Sequence, residues 1–136
     1  MRRQSKKRRK LQAEIQADRE AFAFEFWTCM VCGPEWRQKL PRVLDVHEIV
    51  RGGSRIIGLQ DRRAWLLLCR GCHDLMDDAE LWPVSRQYAL KKLRDPEHYD
   101  RVWMNLARGR DRNAIDDDEV EQWLTRLRET TTDLTS

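Results

Sequence analysis

The four cysteines of the 136-residue chain form two pairs with identical spacing. Cys29 and Cys32 make the first Cys-x-x-Cys pair, and Cys69 and Cys72 make the second. Each turn offers two thiolates toward one point, and two turns complete the tetrahedral set of soft ligands that Zn²⁺ prefers. The alternatives are two redox dithiols or two disulfides, but a thioredoxin-like dithiol needs a βαβ context that this pattern lacks. The spacing therefore predicts a structural zinc site that reinforces a small core.

Two histidines have acidic residues close to them in sequence. His73 directly follows Cys72, and His47 ends a β-branched run with Glu48 next to it. Asp77 lies four residues beyond His73, so a helix there would place both side chains on one face. Imidazole and carboxylate ligands suit a divalent cation. The alternative is that both imidazoles only form hydrogen bonds beside the zinc site.

The order of these motifs resembles the four-cysteine branch of the HNH endonuclease family. The resemblance covers about a third of the chain and is carried by both cysteine pairs, Asp45-Val46-His47-Glu48-Ile49, Gly52-Gly53 and Leu68-Cys69 with Cys72-His73. It implies a ββα-metal unit, in which a hairpin and a helix clamp one divalent cation, Mg²⁺ or Mn²⁺. It also implies metal-assisted hydrolysis of phosphodiester bonds in DNA.

The resemblance further implies roles for individual residues. Anchored on Ile49, it makes His47 a ligand of the catalytic metal and Glu48 the general base that deprotonates water. The resemblance also makes His73 a ligand of this metal ion. Asp77 completes the implied site, because it stands where the family often has a further histidine.

Two positions depart from the family pattern. Glu48 occupies the place of the usual histidine base, and Ala64 stands where the family has a central asparagine. In the alternative register His47 is the base, which leaves Val46 where a ligand belongs. The first register is favoured because two histidines can then hold the metal.

Helical periodicity and capping residues predict five helical segments around two strands. The predicted helices cover residues 8–26, 73–82 and 83–94, with two more starting at Asp95 and near Asp116, and the strands are 43–46 and 65–68. The helix from Asp95 should bury a stripe of four residues, Tyr99, Val102, Trp103 and Leu106. We therefore expect an α+β fold that is mostly α, with a small treble-clef-like zinc core flanked by an N-terminal helix and about three C-terminal helices.

Charge is distributed unevenly along the chain. Residues 1–10 carry seven basic side chains and no acidic one, whereas residues 111–136 carry eight acidic and three basic ones. A basic arm favours a polyanion such as DNA, although a solubilising terminus is the alternative. The candidate nucleic-acid contacts are Arg2, Arg3, Lys6, Lys7, Arg8, Arg9, Lys10, Arg51 and Arg55.

These patterns divide the chain into four predicted segments. They are a flexible basic arm over 1–10, the zinc core with its leading helix over 11–80, a helical extension over 81–129 and a disordered tail over 130–136.

Composition excludes several classes of protein. With 40% apolar and 36% charged residues and a mean hydropathy of -0.79, the chain has no apolar stretch of the ~18 residues that a membrane helix needs. No apolar region follows the basic arm, so a secretory signal is not predicted and we expect a reducing cytoplasm. Six tryptophans argue against wholesale disorder.

Three functions remain as hypotheses. The first is a small metal-dependent DNA endonuclease or nickase with a structural zinc ion. The second is an inactive zinc module of HNH ancestry that binds nucleic acid, and the third is a zinc-stabilised adaptor for another protein.

Overall fold

The structure, a computed structural model, describes residues 6–33, 44–50, 61–109 and 113–135, with side chains up to residue 129. Its elements in chain order are α1 (Lys6–Phe26), β1 (Leu44–Glu48), β2 (Trp65–Cys69), α2 (Arg70–Leu75), α3 (Val84–Arg94), α4 (Arg101–Arg108) and α5 (Asp117–Thr135). Single 3₁₀ turns lie at Arg62–Ala64 and Pro96–His98. This mainly helical chain with one small sheet agrees with the predicted α+β class. No helix of the described residues has both the length and the apolar character needed to cross a membrane.

The two strands form an antiparallel hairpin whose second strand is central to the core. Leu44 pairs with Cys69 and Glu48 pairs with Trp65. All residues from Trp65 to Leu68 are buried, because α1 covers one side of the strand and the C-terminal helices add to the core. An uninterrupted apolar run is what such a doubly covered strand requires, whereas a half-exposed strand would alternate.

The described contacts of helix α1 with the hairpin lie in its C-terminal half. Phe22 is buried and packs against the Trp65 ring with centroids 5.6 Å apart. Residues 6–14 are all exposed, so the basic start of the helix projects from the core. The helix ends at Phe26 because Trp27 adopts the left-handed conformation, with φ 64°. The basic segment is thus helical from Lys6 onward, and residues 1–5 lie outside the described part of the chain.

Helix α2 is shorter than the sequence suggests. It ends at Leu75, whereas the periodicity placed its end near Trp82. The side chain of Asp78 accepts hydrogen bonds from the backbone N–H groups of Glu80 and Leu81, at 3.0 and 3.3 Å. Such a local bond offers the backbone an alternative to helix, so the chain turns here.

The predicted helix start at Asp95 is wrong. The Asp95 carboxylate already accepts hydrogen bonds from Lys91 Nζ and His98 Nδ1, both at 2.8 Å, and a 3₁₀ turn follows it. Helix α4 begins later, where Asp100 Oδ1 accepts a hydrogen bond from Trp103 N at 2.9 Å. This side chain is the N-cap.

The later start of α4 also changes its buried face. Val102 and Leu106 are 57% and 76% exposed, so half of the predicted stripe is wrong, and Met104 and Ala107 are buried instead.

At the last helix the prediction near Asp116 is confirmed, since Asp116 Oδ1 accepts from the backbone N–H of Glu119 at 2.8 Å. Helix α5 then continues to Thr135, past the predicted start of a disordered tail at residue 130, because extending a formed helix costs little.

A buried lysine joins α3 to the hairpin. The Lys91 ammonium is fully buried and donates to the backbone oxygens of Arg62 and Trp65, at 2.7 and 2.8 Å, and to Asp95. Burial lowers the pKa of Lys91 to about 8, although Asp95 acts in the opposite direction. Every donor of this cation has an acceptor, which is the condition for tolerating a charge in a core.

Replacing Lys91 by methionine should lower the free energy of unfolding by about 3 kcal/mol, because the buried Asp95 carboxylate then keeps only His98 and the more distant Arg62, at 3.7 Å, as partners. The matched control is Lys92→Met, which removes the partly exposed pair between Lys92 and Glu121 and should cost less than about 1 kcal/mol. Denaturant unfolding at pH 7 measures both values. Equal losses in the two variants would contradict the assigned role of Lys91.

Candidate metal centre and histidine cavity

The four cysteines converge in space, and we call them the cysteine cluster. Their sulfur atoms all lie within 4.8 Å of one another, and Cys32 Sγ is 3.9 Å from Cys69 Sγ and 3.6 Å from Cys72 Sγ. Four sulfurs at about 2.3 Å from one tetrahedral centre would be about 3.8 Å apart, so these spacings match a metal-binding set. None of the four forms a disulfide. The cluster could hold a metal ion such as zinc.

Backbone contacts hold the first cysteine turn against the second strand. Gly33 N donates to Cys29 O at 2.9 Å, and the φ of 86° at Gly33 is one that glycine adopts without strain. Met30 N donates to Leu67 O at 2.8 Å, and Arg94 from α3 donates to Met30 O at the same distance. The turn is therefore fixed from two sides, while Cys69 and Cys72 follow directly from the end of β2 and the start of α2.

The thiols of the cluster influence one another strongly. Burial raises the pKa of Cys32 to about 11, and the neighbouring Cys29 contributes in the same direction. Burial also raises the pKa of Cys72. Burial alone would raise the pKa of Cys69 too. Hydrogen bonds from Cys72, Cys29 and Cys32 outweigh this effect and lower the pKa of this thiol to about 7. Four thiolates this close need a cation between them, which is the chemistry of a metal site rather than of a free dithiol.

The two histidines of the predicted second site also come together. His47 lies on β1 and His73 on α2, and their ring centroids are 5.3 Å apart at an interplanar angle of 71°. Asp45, on the same face of β1 as His47, has its Oδ2 3.3 Å from His73 Nδ1. The same carboxylate accepts from Arg70 Nε at 3.0 Å. His47 is 2% exposed, whereas the His73 side chain is 31% exposed.

A cavity of about 280 Å³ lies beside the imidazole pair, and we call it the histidine cavity. Its polar lining combines an imidazole, two carboxylates, an amide and a guanidinium, from His47, Glu48, Asp77, Gln87 and Arg108. Apolar side chains, including Trp82 and Met76, complete the wall. His73 instead lines a second, more open cavity of about 610 Å³ with Asp45, Arg70 and Arg19.

The predicted ligand triad is only partly assembled. In residues 6–33, 44–50, 61–109 and 113–135, the cysteine cluster is the one group of three or more His, Cys, Asp or Glu side chains that could hold a metal ion. His47, His73 and Asp77 do not form a second such group. Helix α2 ends at Leu75, so Asp77 is not on the helix face of His73 as the sequence predicted. Glu48 forms an ion pair with Arg19 of α1, in which a carboxylate oxygen lies 3.4 Å from a guanidinium nitrogen.

The candidate DNA contacts fall into two groups. Five of them, Lys6, Lys7, Arg8, Arg9 and Lys10, form the exposed first turns of α1. The other four, Arg2, Arg3, Arg51 and Arg55, lie outside the described residues.

Sequence reasoning missed several residues of the site. Asp45 could have been found, because alternation along a strand puts it on the face of His47. Gln87 and Arg108 lie on helices far along the chain, and no local pattern marks them. Arg19 stands out in the sequence only as a basic residue within a helix.

Comparison with protein-family models, with curated proteins and with solved structures gave no match for this chain.

We expect the purified chain to contain one metal ion, such as zinc, held by the cysteine cluster. Cys72→Ser should abolish that stoichiometry and lower the free energy of unfolding by about 3 kcal/mol or more, a fall in Tm of roughly 10 °C. The control Thr28→Ser changes a neighbouring hydroxyl residue and leaves all four thiols in place. Elemental analysis with thermal unfolding tests this. A folded, metal-free chain with four reactive thiols would contradict it.

Proposed function

We propose that the chain is a metal-dependent DNA endonuclease of the HNH type, with a structural zinc ion in the cysteine cluster. The observation that carries the proposal is the pair of imidazoles, His47 and His73, whose ring centroids are 5.3 Å apart, with His47 lining a cavity that also contains the carboxylates of Glu48 and Asp77. The motif order that resembles the HNH family supports the same conclusion. The basic start of α1 supports a polyanionic substrate.

His47, His73 and Asp77 are the residues that would hold the divalent cation, Mg²⁺ or Mn²⁺. Two imidazoles with one carboxylate suit Mn²⁺ better than Mg²⁺, because Mg²⁺ prefers oxygen ligands. Bound there, the cation would polarise the scissile phosphate and stabilise the leaving oxygen.

The remaining chemistry comes from the chain itself. Glu48 lines the histidine cavity, and in this proposal its carboxylate takes the proton from the attacking water. Arg108 lines the same cavity, and a guanidinium recognises phosphate oxygens through a planar pair of donors. Arg19 keeps the Glu48 side chain at the edge of the cavity through its ion pair.

An inactive module that binds nucleic acid is the second candidate. It is favoured by the Glu48–Arg19 pair, which occupies the proposed base, and by Ala64 at the position of the family's asparagine. This candidate uses the same cysteine cluster and the same basic helix, but it cuts no DNA. The two functions are therefore separated by cleavage rather than by binding.

The chain should nick supercoiled plasmid in Mg²⁺ or Mn²⁺, and Glu48→Ala and His73→Ala should each reduce the rate by about 100-fold or more. The matched control is His98→Ala, because His98 has the same 31% side-chain exposure as His73 and also contacts an aspartate. It should cut at the parental rate. Equal nicking by all forms would indicate a contaminant, and binding without cutting by every form would favour the inactive module.

The basic start of α1 should supply most of the salt dependence of DNA binding. Replacing Lys6, Lys7, Arg8, Arg9 and Lys10 by glutamine preserves helix propensity but removes five charges. The slope of log K against log salt should become shallower by up to about 4.5, since each of the five phosphate contacts contributes about 0.9. Fluorescence anisotropy with a labelled duplex measures the slope, and circular dichroism verifies the helix. An unchanged slope would show that this segment does not contact DNA.

A further inference from the structure

The second cavity of the site, which we call the larger cavity, is lined by residues of α1, β1 and α2. It has a volume of about 610 Å³, and its wall carries two guanidiniums, Arg19 from α1 and Arg70 from α2. Ala23, Leu44 and Val46 form the apolar part of the wall. Guanidiniums offer planar pairs of donors, which is the arrangement that recognises phosphate oxygens.

The guanidinium of Arg19 is only partly bonded within the described residues. It forms an ion pair with Glu48 at 3.4 Å and lies 5.3 Å from the centroid of the Trp65 ring. Its Nε and Nη2 atoms are buried and have no hydrogen-bond partner in the part of the chain that the structure describes. Glu48 therefore neutralises the charge of Arg19 without satisfying its donors, and the side chain keeps the capacity to bind an oxygen anion.

The guanidinium of Arg70 is oriented by Asp45. The Nε of Arg70 donates to Asp45 Oδ2 at 3.0 Å, and the Arg70 side chain is 72% exposed. Because this bond uses the Nε donor, the N–H groups of the two terminal nitrogens are available to a ligand. The wall of the larger cavity thus presents a second oriented guanidinium from the side opposite to α1.

Three carboxylates share the wall of the larger cavity, and two of them are already bonded. Asp45 accepts from Arg70, and Glu20 accepts from Gln16 Nε2 at 3.1 Å. Asp74 is exposed, and its carboxylate has no bonded partner among the described residues. This one carboxylate opposes an anion in the cavity, so its removal should strengthen anion binding.

One face of α1 connects the larger cavity to the basic start of the helix. Gln12, Gln16 and Arg19 follow each other at spacings of four and three residues, so they lie on one face. Arg8 continues this face, roughly 16 Å from Arg19 along the helix axis. Gln16 and Arg19 themselves line the cavity. A nucleic-acid strand that contacts the exposed basic residues can therefore reach the cavity along α1.

We propose that the larger cavity is a phosphate subsite, in which Arg19 and Arg70 together bind one phosphodiester of a nucleic-acid strand that continues along α1. This inference rests on the proposed function and deepens it, because it adds a contact to the same substrate. The contact needs neither a metal ion nor a proton transfer. It therefore applies equally to an endonuclease and to a module that only binds nucleic acid.

The test measures DNA binding by the full, zinc-loaded chain without added Mg²⁺ or Mn²⁺, so that binding is read without cleavage. Arg19→Gln and Arg70→Gln each remove one guanidinium. Lys92→Gln is the matched control, because Lys92 is also a partly exposed cation that pairs with one glutamate, Glu121. Fluorescence anisotropy with a labelled duplex gives the affinity and its salt dependence, and circular dichroism and zinc content verify that each variant folds.

We expect Arg19→Gln and Arg70→Gln each to weaken DNA binding by about 5- to 10-fold, and Lys92→Gln by less than about twofold. The double variant should make the slope of log K against log salt shallower by about 0.9, the value of one phosphate contact. Asp74→Asn should tighten binding by about two- to fivefold, because it removes the unpaired carboxylate. Parental affinity in both arginine variants, or an equal loss in Lys92→Gln, overturns the inference.

A second measurement locates the contact and identifies the source of the phosphate. In ¹H–¹⁵N spectra the Nε–H resonances of Arg19 and Arg70 should shift when the duplex is added, whereas that of Arg94, which donates to Met30 O, should not. The same titration is repeated with inorganic phosphate. If inorganic phosphate shifts both resonances as far as the duplex does at the same concentration, the cavity is a site for free phosphate and the inference is overturned.

The outcomes separate this inference from the proposed function. If both arginine variants lose DNA affinity while no form nicks plasmid in Mg²⁺ or Mn²⁺, the phosphate subsite stands and the endonuclease proposal fails. If the parent nicks plasmid and both variants bind DNA as the parent does, the endonuclease proposal stands and the subsite is refuted. A parent that binds no DNA overturns both.

Discussion

The convergence of four thiols at one point is the constraint on which the rest of the structure depends. Cys69 is the last residue of β2 and Cys72 lies in α2, so a metal ion bound there fixes the direction of α2 relative to the sheet. The free energy of structural zinc binding, about 10–16 kcal/mol in small zinc domains, is as large as the whole stability of a typical domain. His73 follows Cys72 directly, and its place beside His47 is therefore a consequence of the cluster.

The C-terminal helices act on the same hairpin from the other side. Apolar contacts alone would let α3 slide or rotate by small steps, because they have no preferred direction. The hydrogen bonds of Lys91 to the oxygens of Arg62 and Trp65, and that of Gln87 to His47, are satisfied only in one register. A fully bonded polar network of this kind specifies a unique core. The extension thus determines the shape of the histidine cavity, to which it contributes Arg108.

Much of the fold could be predicted because its signals are local. The apolar run of β2 and the cap at Asp116 each lie within a few residues of the element that they define. The failures have a different cause. Asp95 is a residue type that commonly caps a helix, but its carboxylate accepts hydrogen bonds from Lys91 and His98 instead. Only the tertiary structure reveals these competing donors. Gln87 is likewise an ordinary helical residue until α3 packs against the imidazole of His47.

The two proposed functions share this scaffold and differ at one side chain. Neither the cysteine cluster nor the imidazole pair depends on Glu48, so a binding module and an endonuclease would have the same fold. What distinguishes them is the partner of the Glu48 carboxylate, which is Arg19 at 3.4 Å. Arg19 lines the larger cavity with His73 and Asp45, so a phosphate bound there would bring a second anion toward its guanidinium and compete with Glu48 for it. If Arg19 leaves Glu48 for the phosphate, the Glu48 carboxylate can accept a proton from water. If the ion pair between Glu48 and Arg19 persists, the site can only bind nucleic acid.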